Sequence, residues 1–116
     1  MEVFLDTNFI LACMESLVDA RLQIEKREPA LTFLVIGRVL EEIAALPFRE
    51  KRMAEAFLRG TPHQVVPSKG PTDRDLLEYA RIRHASVATL DGALKRRLKK
   101  AKIQSISLSN RRVVFL

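Results

Sequence analysis

Leu5-Asp6-Thr7-Asn8 sets a carboxylate directly behind the apolar run Val3-Phe4-Leu5, where a strand gives way to a turn. Three further acids, Glu42, Asp73 and Asp91, stand where an α/β fold can bring them to the same end of a sheet. Four carboxylates gathered there suit a hard divalent cation, which takes oxygen ligands. The chain has 20 Lys and Arg against 14 Asp and Glu, a net charge of +6. An acidic centre in a basic protein points to phosphodiester chemistry on nucleic acid, because clustered cations gain affinity for phosphates by counterion release.

Each acid also has a plainer reading. Asp6 serves as either a metal ligand at a strand mouth or a helix N-cap, and both roles use the same strand-to-helix turn. Asp91 closes the run Ser86-Val87-Ala88-Thr89-Leu90 and has the same two readings, its charge favouring the N-terminus of the helix that follows. Helical phase separates the other two pairs. With Ile36, Val39, Leu40, Ile43 and Leu46 as the buried stripe, Glu42 lies roughly 90° from its centre and Glu41 roughly 170° away. Glu41 then faces water and Glu42 sits on the shoulder of a cleft. Against Leu76, Leu77 and Ala80, Asp73 falls within roughly 20° of the inward face and Asp75 points away. Thr72 and Asp75 have the spacing of a capping box, which leaves Asp73 free for a site.

The elements that must carry these acids alternate between strand and helix. Strands are expected at Val3–Leu5, Leu31–Val35, Gln64–Val66, Ser86–Leu90 and Ile103–Leu108, with a final edge strand at Arg112–Leu116. One long helix is expected over Phe9–Arg27 with Ile10, Met14, Leu17 and Val18 inward. Others are expected over Gly37–Leu46, Glu50–Arg59, Thr72–Arg83 and Asp91–Lys100, stopped where Pro or Gly intervenes. Such alternation implies βαβ units and a mostly parallel sheet between two helical layers, a three-layer α/β/α arrangement. Ligands in such folds bind beyond the carboxyl ends of the strands.

At 116 residues the chain reads as one domain, 1–116, with one modest core. Hydrophobic residues make up 47% of it, which argues against disorder. No apolar stretch approaches a membrane span, and no secretory signal is visible. Cys13 is the only cysteine, so no internal disulfide can form and a reducing cytoplasm is expected. Cys13, His63 and His84 are too widely spaced for structural zinc. The basic residues are concentrated in Lys95-Arg96-Arg97-Leu98-Lys99-Lys100-Ala101-Lys102 and in Arg111-Arg112. That run is either a solvated helix face or a phosphate-binding surface. Phe48, Phe57 and Tyr79 are candidates for stacking on bases, although Phe is more often core.

The residues resemble those of the PIN domain, a family of metal-dependent ribonucleases. Leu5-Asp6-Thr7-Asn8 resembles the family's opening motif, and Val39-Leu40-Glu41-Glu42-Ile43 its central helix. Thr72-Asp73-Arg74-Asp75-Leu76-Leu77-Glu78-Tyr79-Ala80 resembles the third motif, and Val87-Ala88-Thr89-Leu90-Asp91 with Leu94 the fourth. The likeness covers nearly the whole chain, and helical phase selects the same Glu42 and Asp73. The segment from Val87 to Leu98 is also similar to PIN nucleases of ribosomal RNA processing.

This resemblance implies hydrolysis of RNA with Mg²⁺ or Mn²⁺ held by Asp6, Asp73 and Asp91. Glu42 would complete the site, and Thr7, Asn8 and Thr89 would orient it. Lys95, Arg96, Arg97, Lys99 and Lys100 would hold the RNA backbone. The enzyme would be either the toxin of a toxin–antitoxin pair, with an antitoxin protein as partner, or an RNA-processing nuclease, and a homodimer is expected. The alternative is an RNA-binding or scaffold PIN-fold domain with little activity. A phosphatase or receiver-like module using Asp6 lacks a supporting partner motif.

Overall fold

Val3, Phe4 and Leu5, the run Phe33 to Ile36, and Val87 with Ala88 are all fully shielded from solvent. Strands covered on both faces must be apolar along their whole length, and these are. The computed structural model describes residues 1–116. Its strands are β1 (Glu2–Leu5), β2 (Thr32–Ile36), β3 (Gln64–Val66), β4 (Ser86–Ala88), β5 (Ser105–Ser109) and β6 (Arg112–Phe115). They form one sheet in the order β3-β2-β1-β4-β5-β6. The first five are parallel, and β6 joins β5 antiparallel as the expected edge strand.

The helices are α1 (Thr7–Ser16), α2 (Ala20–Glu25), α3 (Gly37–Ala44), α4 (Phe48–Gly60), α5 (Thr72–Arg83) and α6 (Gly92–Lys100). The chain steps outward from β1 to β2 and β3, then returns to β4 on the other side of β1. Right-handed crossovers therefore place α1, α3 and α4 on one face and α5 and α6 on the other. The packing agrees: α1, α3 and α4 touch one another, and α5 touches α6. The expected three-layer α/β/α architecture with a mostly parallel sheet is the observed one. The order reverses between β1 and β4, the place where open α/β sheets leave a crevice. Asp6 and Thr89 emerge on the two sides of that crevice. No helix is long and apolar enough to cross a membrane.

The expected long helix over Phe9–Arg27 is broken in two. Leu17 adopts a left-handed conformation at φ 55°, and Val18 N–H reaches back to Cys13 O at 2.9 Å. That is a Schellman-type stop, which usually employs glycine. Asp19 then caps α2 by accepting from Leu22 N–H at 3.0 Å. Leu17 is consequently 89% exposed rather than inward. Smaller shifts occur at strand ends. β2 runs one residue further than expected, β4 stops at Ala88, and β5 starts only at Ser105 after a turn with Lys102 at φ 61°.

A left-handed non-glycine residue costs about 1–2 kcal/mol, and glycine at the same place costs about 0.5–1 kcal/mol in extra unfolded-state freedom. Leu17→Gly is therefore expected to stabilise the protein by about 0.5 kcal/mol. Urea unfolding should show a higher midpoint at unchanged slope, and a lower midpoint would contradict the strain assigned to Leu17.

Candidate metal centre

Asp6 is the first residue past β1 and the N-cap of α1. Its Oδ1 accepts from Thr7 N–H at 2.9 Å, and its Oδ2 accepts from the Thr89 hydroxyl at 2.8 Å. Thr89 is fully buried just past β4. Its oxygen also accepts from Asp91 N–H at 3.1 Å, so one side chain links the turns after β1 and β4. Asn8 makes the same connection one layer further out, its Oδ1 accepting from Leu90 N–H at 3.0 Å. Asp91 caps α6 through Leu94 N–H at 3.0 Å. Both strand-end acids are thus caps, and each keeps oxygen lone pairs beyond its capping bond.

Glu42 comes from the second turn of α3. It is half-buried while Glu41 is exposed, as helical phase implied. Its Oε1 accepts from the Thr7 hydroxyl at 2.7 Å and its Oε2 from the Thr72 hydroxyl at 2.6 Å. α1, α3 and α5 are therefore pinned together at this carboxylate. Asp73, next to Thr72 at the start of α5, is half-buried.

Electrostatics locate the acids relative to one another. Burial raises the Asp6 pKa first, Thr89 and Thr7 oppose this by hydrogen bonding, and the charges of Glu42 and Asp73 raise it further. Asp73 is also raised, by burial, then by Asp91, with Glu42 adding to the effect and Arg97 opposing it. Glu42 and Asp73 thus act on Asp6, and Asp91 and Glu42 act on Asp73, where Arg97 is the opposing cation. As the side chains stand, no group of three or more His, Cys, Asp or Glu forms a ready-made ligand set for a metal ion. The donors are oxygen only. Cys13 is buried on α1, and burial, helped by the Asp19 charge, pushes its thiol up to about 12, so it is no nucleophile.

The expected capping box at α5 does not form. Pro71 occupies the N-cap position, which places Thr72 one residue inside the helix with its hydroxyl turned to Glu42. Asp75, expected to point away, is only 5% exposed. It accepts from Lys69 N–H at 2.8 Å and Gly70 N–H at 3.1 Å and so fastens the preceding loop over the helix. Thr72 is the contributor that sequence reasoning missed. The available signal was Pro71, because proline favours the start of a helix and so places Thr72 inside it.

The α6 cations do not act as one group. Arg97 faces the acids, Lys95 reaches Ser107 Oγ at 3.4 Å, and Lys100 is exposed near the helix end. Among the candidate aromatics, Phe57 is core and Tyr79 is occupied. Tyr79 stacks on Phe4 with centroids 6.0 Å apart and donates to Pro67 O at 2.6 Å. Phe48 alone is exposed, at 74%, with the Arg52 guanidinium 5.5 Å from its ring centre.

No protein-family model matches the sequence, and no curated protein matches it. Solved structures do match. The PIN domain endonuclease Utp24 superposes with a TM-score of 0.84 at 25% sequence identity, over 98% of this chain and 90% of that one. The chain has the PIN-domain fold. A PilT N-terminus domain protein from the hyperthermophilic archaeon Sulfolobus solfataricus P2 superposes with a TM-score of 0.56 at 9% identity, over 92% of this chain and 87% of that one. At that identity the likeness speaks to the fold alone. Asp6 and Asp91 follow β1 and β4 at the crevice, and Glu42 and Asp73 come from the helices that follow β2 and β3.

Asp6 and Asp73 bind protons more readily folded than unfolded. Stability therefore falls as pH rises from the ordinary carboxylate value of 3.8 through their raised folded values. In chelator at pH 7, Asp73→Asn should melt at a higher temperature than the native protein, and the gain should disappear below pH 3.8. Equal melting temperatures at pH 7 would contradict the raised Asp73 pKa.

Proposed function

We propose that this PIN domain, residues 1–116 acting as one unit, is a metal-dependent endoribonuclease that hydrolyses RNA phosphodiester bonds at Asp6, Glu42, Asp73 and Asp91. The observation that carries the reading is the four-acid centre at the β1/β4 switch point, in which the pKa values of Asp6 and Asp73 are raised by burial and by neighbouring carboxylates. Functional sites use this combination of burial and like-charge neighbours to shift pKa values, which supports the reading. The fold shared with a PIN domain endonuclease supports the same reading.

The residues fit a hard divalent cation, Mg²⁺ or Mn²⁺. Every donor is a carboxylate or hydroxyl oxygen, and an added cation would offset the repulsion that the acids suffer alone. An open set of carboxylates is compatible with Mg²⁺, which keeps several waters and uses only one or two carboxylates directly. Asp6, Asp73 and Asp91 are the residues that would hold it. When bound, such an ion supplies an activated water and neutralises the charge that develops on the phosphate.

The chain's own groups do the rest. Thr7 and Thr72 hold the two Glu42 oxygens in fixed directions, so the carboxylate's remaining lone pairs can orient the attacking water. Thr89 and Asn8 keep the turns that carry Asp6 and Asp91 in register. Arg97 supplies a cation beside Asp73, where the phosphate backbone must approach. Lys95, Arg96, Lys99 and Lys100 extend the positive surface along α6, and such contacts position RNA without reading its sequence. A toxin would be encoded beside a small antitoxin gene, whereas an RNA-processing nuclease need not be, so the genomic neighbourhood separates these two roles.

Incubating mixed RNA with Mg²⁺, Mn²⁺ or chelator should show metal-dependent cutting by the native protein. Asp6→Asn should reduce that cutting by about a hundredfold or more, on the scale of losing a group that acts in the transition state. Undiminished cutting by the variant, or no cutting with either metal, would leave an RNA-binding or scaffold domain as the better reading.

A further inference from the structure

α6 presents two separate flanks. At 100° per residue, Arg97 and the set Lys95, Arg96 and Lys99 are roughly 150° apart around the helix axis, and the buried ridge of Leu94 and Leu98 lies between Arg97 and Lys95. Arg97 looks toward α5 and the acids. The other three cations look toward β5, where they line a groove of about 400 Å³ whose remaining wall is Ile103, Ser105 and Leu116. None of the three is in an ion pair. No Asp or Glu side chain lines the groove.

We infer that this groove is a nucleotide subsite for a single RNA strand, separate from the four-acid centre. Lys95, Arg96 and Lys99 take the phosphates, and Ile103 and Leu116 form an apolar wall for ribose and base. The inference rests on the RNA reading proposed above and names a second contact region for that substrate. Its volume is within the range of small-ligand sites, about 300–1,000 Å³. Its cations match the positively charged grooves that track a single-strand backbone, and Ile103 and Leu116 add aliphatic surface beside them.

The walls are held in place by the fold. Leu116 N–H donates to Ser105 O at 2.8 Å, which fixes the apolar lip on the sheet. Lys95 Nζ donates to the buried Ser107 hydroxyl at 3.4 Å. Gly92 opens the groove one residue after Asp91, and a Cβ there would stand 3.4 Å from the Arg96 guanidinium. Arg96 thus folds back over the first turn of α6. A strand with its cut phosphate at the acids can cross that turn over the small, exposed Ala93 and place its following nucleotides in the groove.

Binding of a labelled single-stranded RNA decamer, measured in chelator so that no cutting occurs, tests the inference without relying on catalysis. The triple variant Lys95→Ala, Arg96→Ala, Lys99→Ala should bind about tenfold or more weakly at moderate salt, and its salt slope should fall by about 2, as expected for three lost single-strand phosphate contacts. Arg96→Glu alone, at an exposed position, should weaken binding in the same direction and covers the case in which the triple variant fails to fold. Native affinity in a folded triple variant and in Arg96→Glu would overturn the subsite. So would adenosine monophosphate binding as tightly as the decamer, which would mark a free-nucleotide pocket, or equal displacement by polyglutamate, which would mark a site for acidic protein. Absence of metal-dependent cutting with the groove effect intact would remove the nuclease reading and leave the subsite standing.

Discussion

A single buried hydroxyl joins the two halves of this molecule. Thr89 donates to Asp6 Oδ2 at 2.8 Å and accepts from Asp91 N–H at 3.1 Å, so the turns after β1 and β4 are tied together where the sheet reverses its order. Parallel pairing of β1 with β4, Leu5 opposite Ala88, brings the two strand ends level. The acids can then share one crevice. Asn8 repeats the tie through Leu90 N–H, and the Thr7 and Thr72 hydroxyls bring Glu42 to the same place from a third element. Hydroxyls suit this work because they neutralise nothing. They orient carboxylates and leave their charge available.

That retained charge sets the character of the centre. Burial and neighbouring carboxylates raise the pKa values of Asp6 and Asp73, so their charged forms cost stability at neutral pH. An added cation would relieve that cost, which is the physical basis of the proposed metal site. The basic surface answers the opposite need. Arg97 moderates Asp73 directly, whereas Lys95, Arg96 and Lys99 line a groove on the other flank of α6.

Much of this was readable from the residues because parallel strands buried on both faces appear as unbroken apolar runs, and their ends locate Asp6 and Asp91. Helical phase distinguished Glu42 from Glu41 because the buried stripe of α3 is well marked. It failed for Asp75, since phase measures a residue against its own helix, whereas Asp75 is covered by the loop whose Lys69 and Gly70 amides it accepts. Leu17 was unreadable for a similar reason. Left-handed helix stops are signalled by glycine, and here the fold imposes one on leucine. The cluster 95–102 showed its charge but not its two flanks, which depend on where β5 and α5 pack.

Asp6 and Asp91 cap helices, and in the proposed centre they also hold a cation. Asp91→Asn separates the two roles, because asparagine caps a helix as well as aspartate does but lacks the charge. Calorimetric titration of Mn²⁺ into the native protein and this variant at neutral pH, with folding checked in chelator, is the direct measurement. An intact fold and an affinity about tenfold or more weaker are expected in the variant. Equal Mn²⁺ affinity in the two proteins would contradict the cation-holding role.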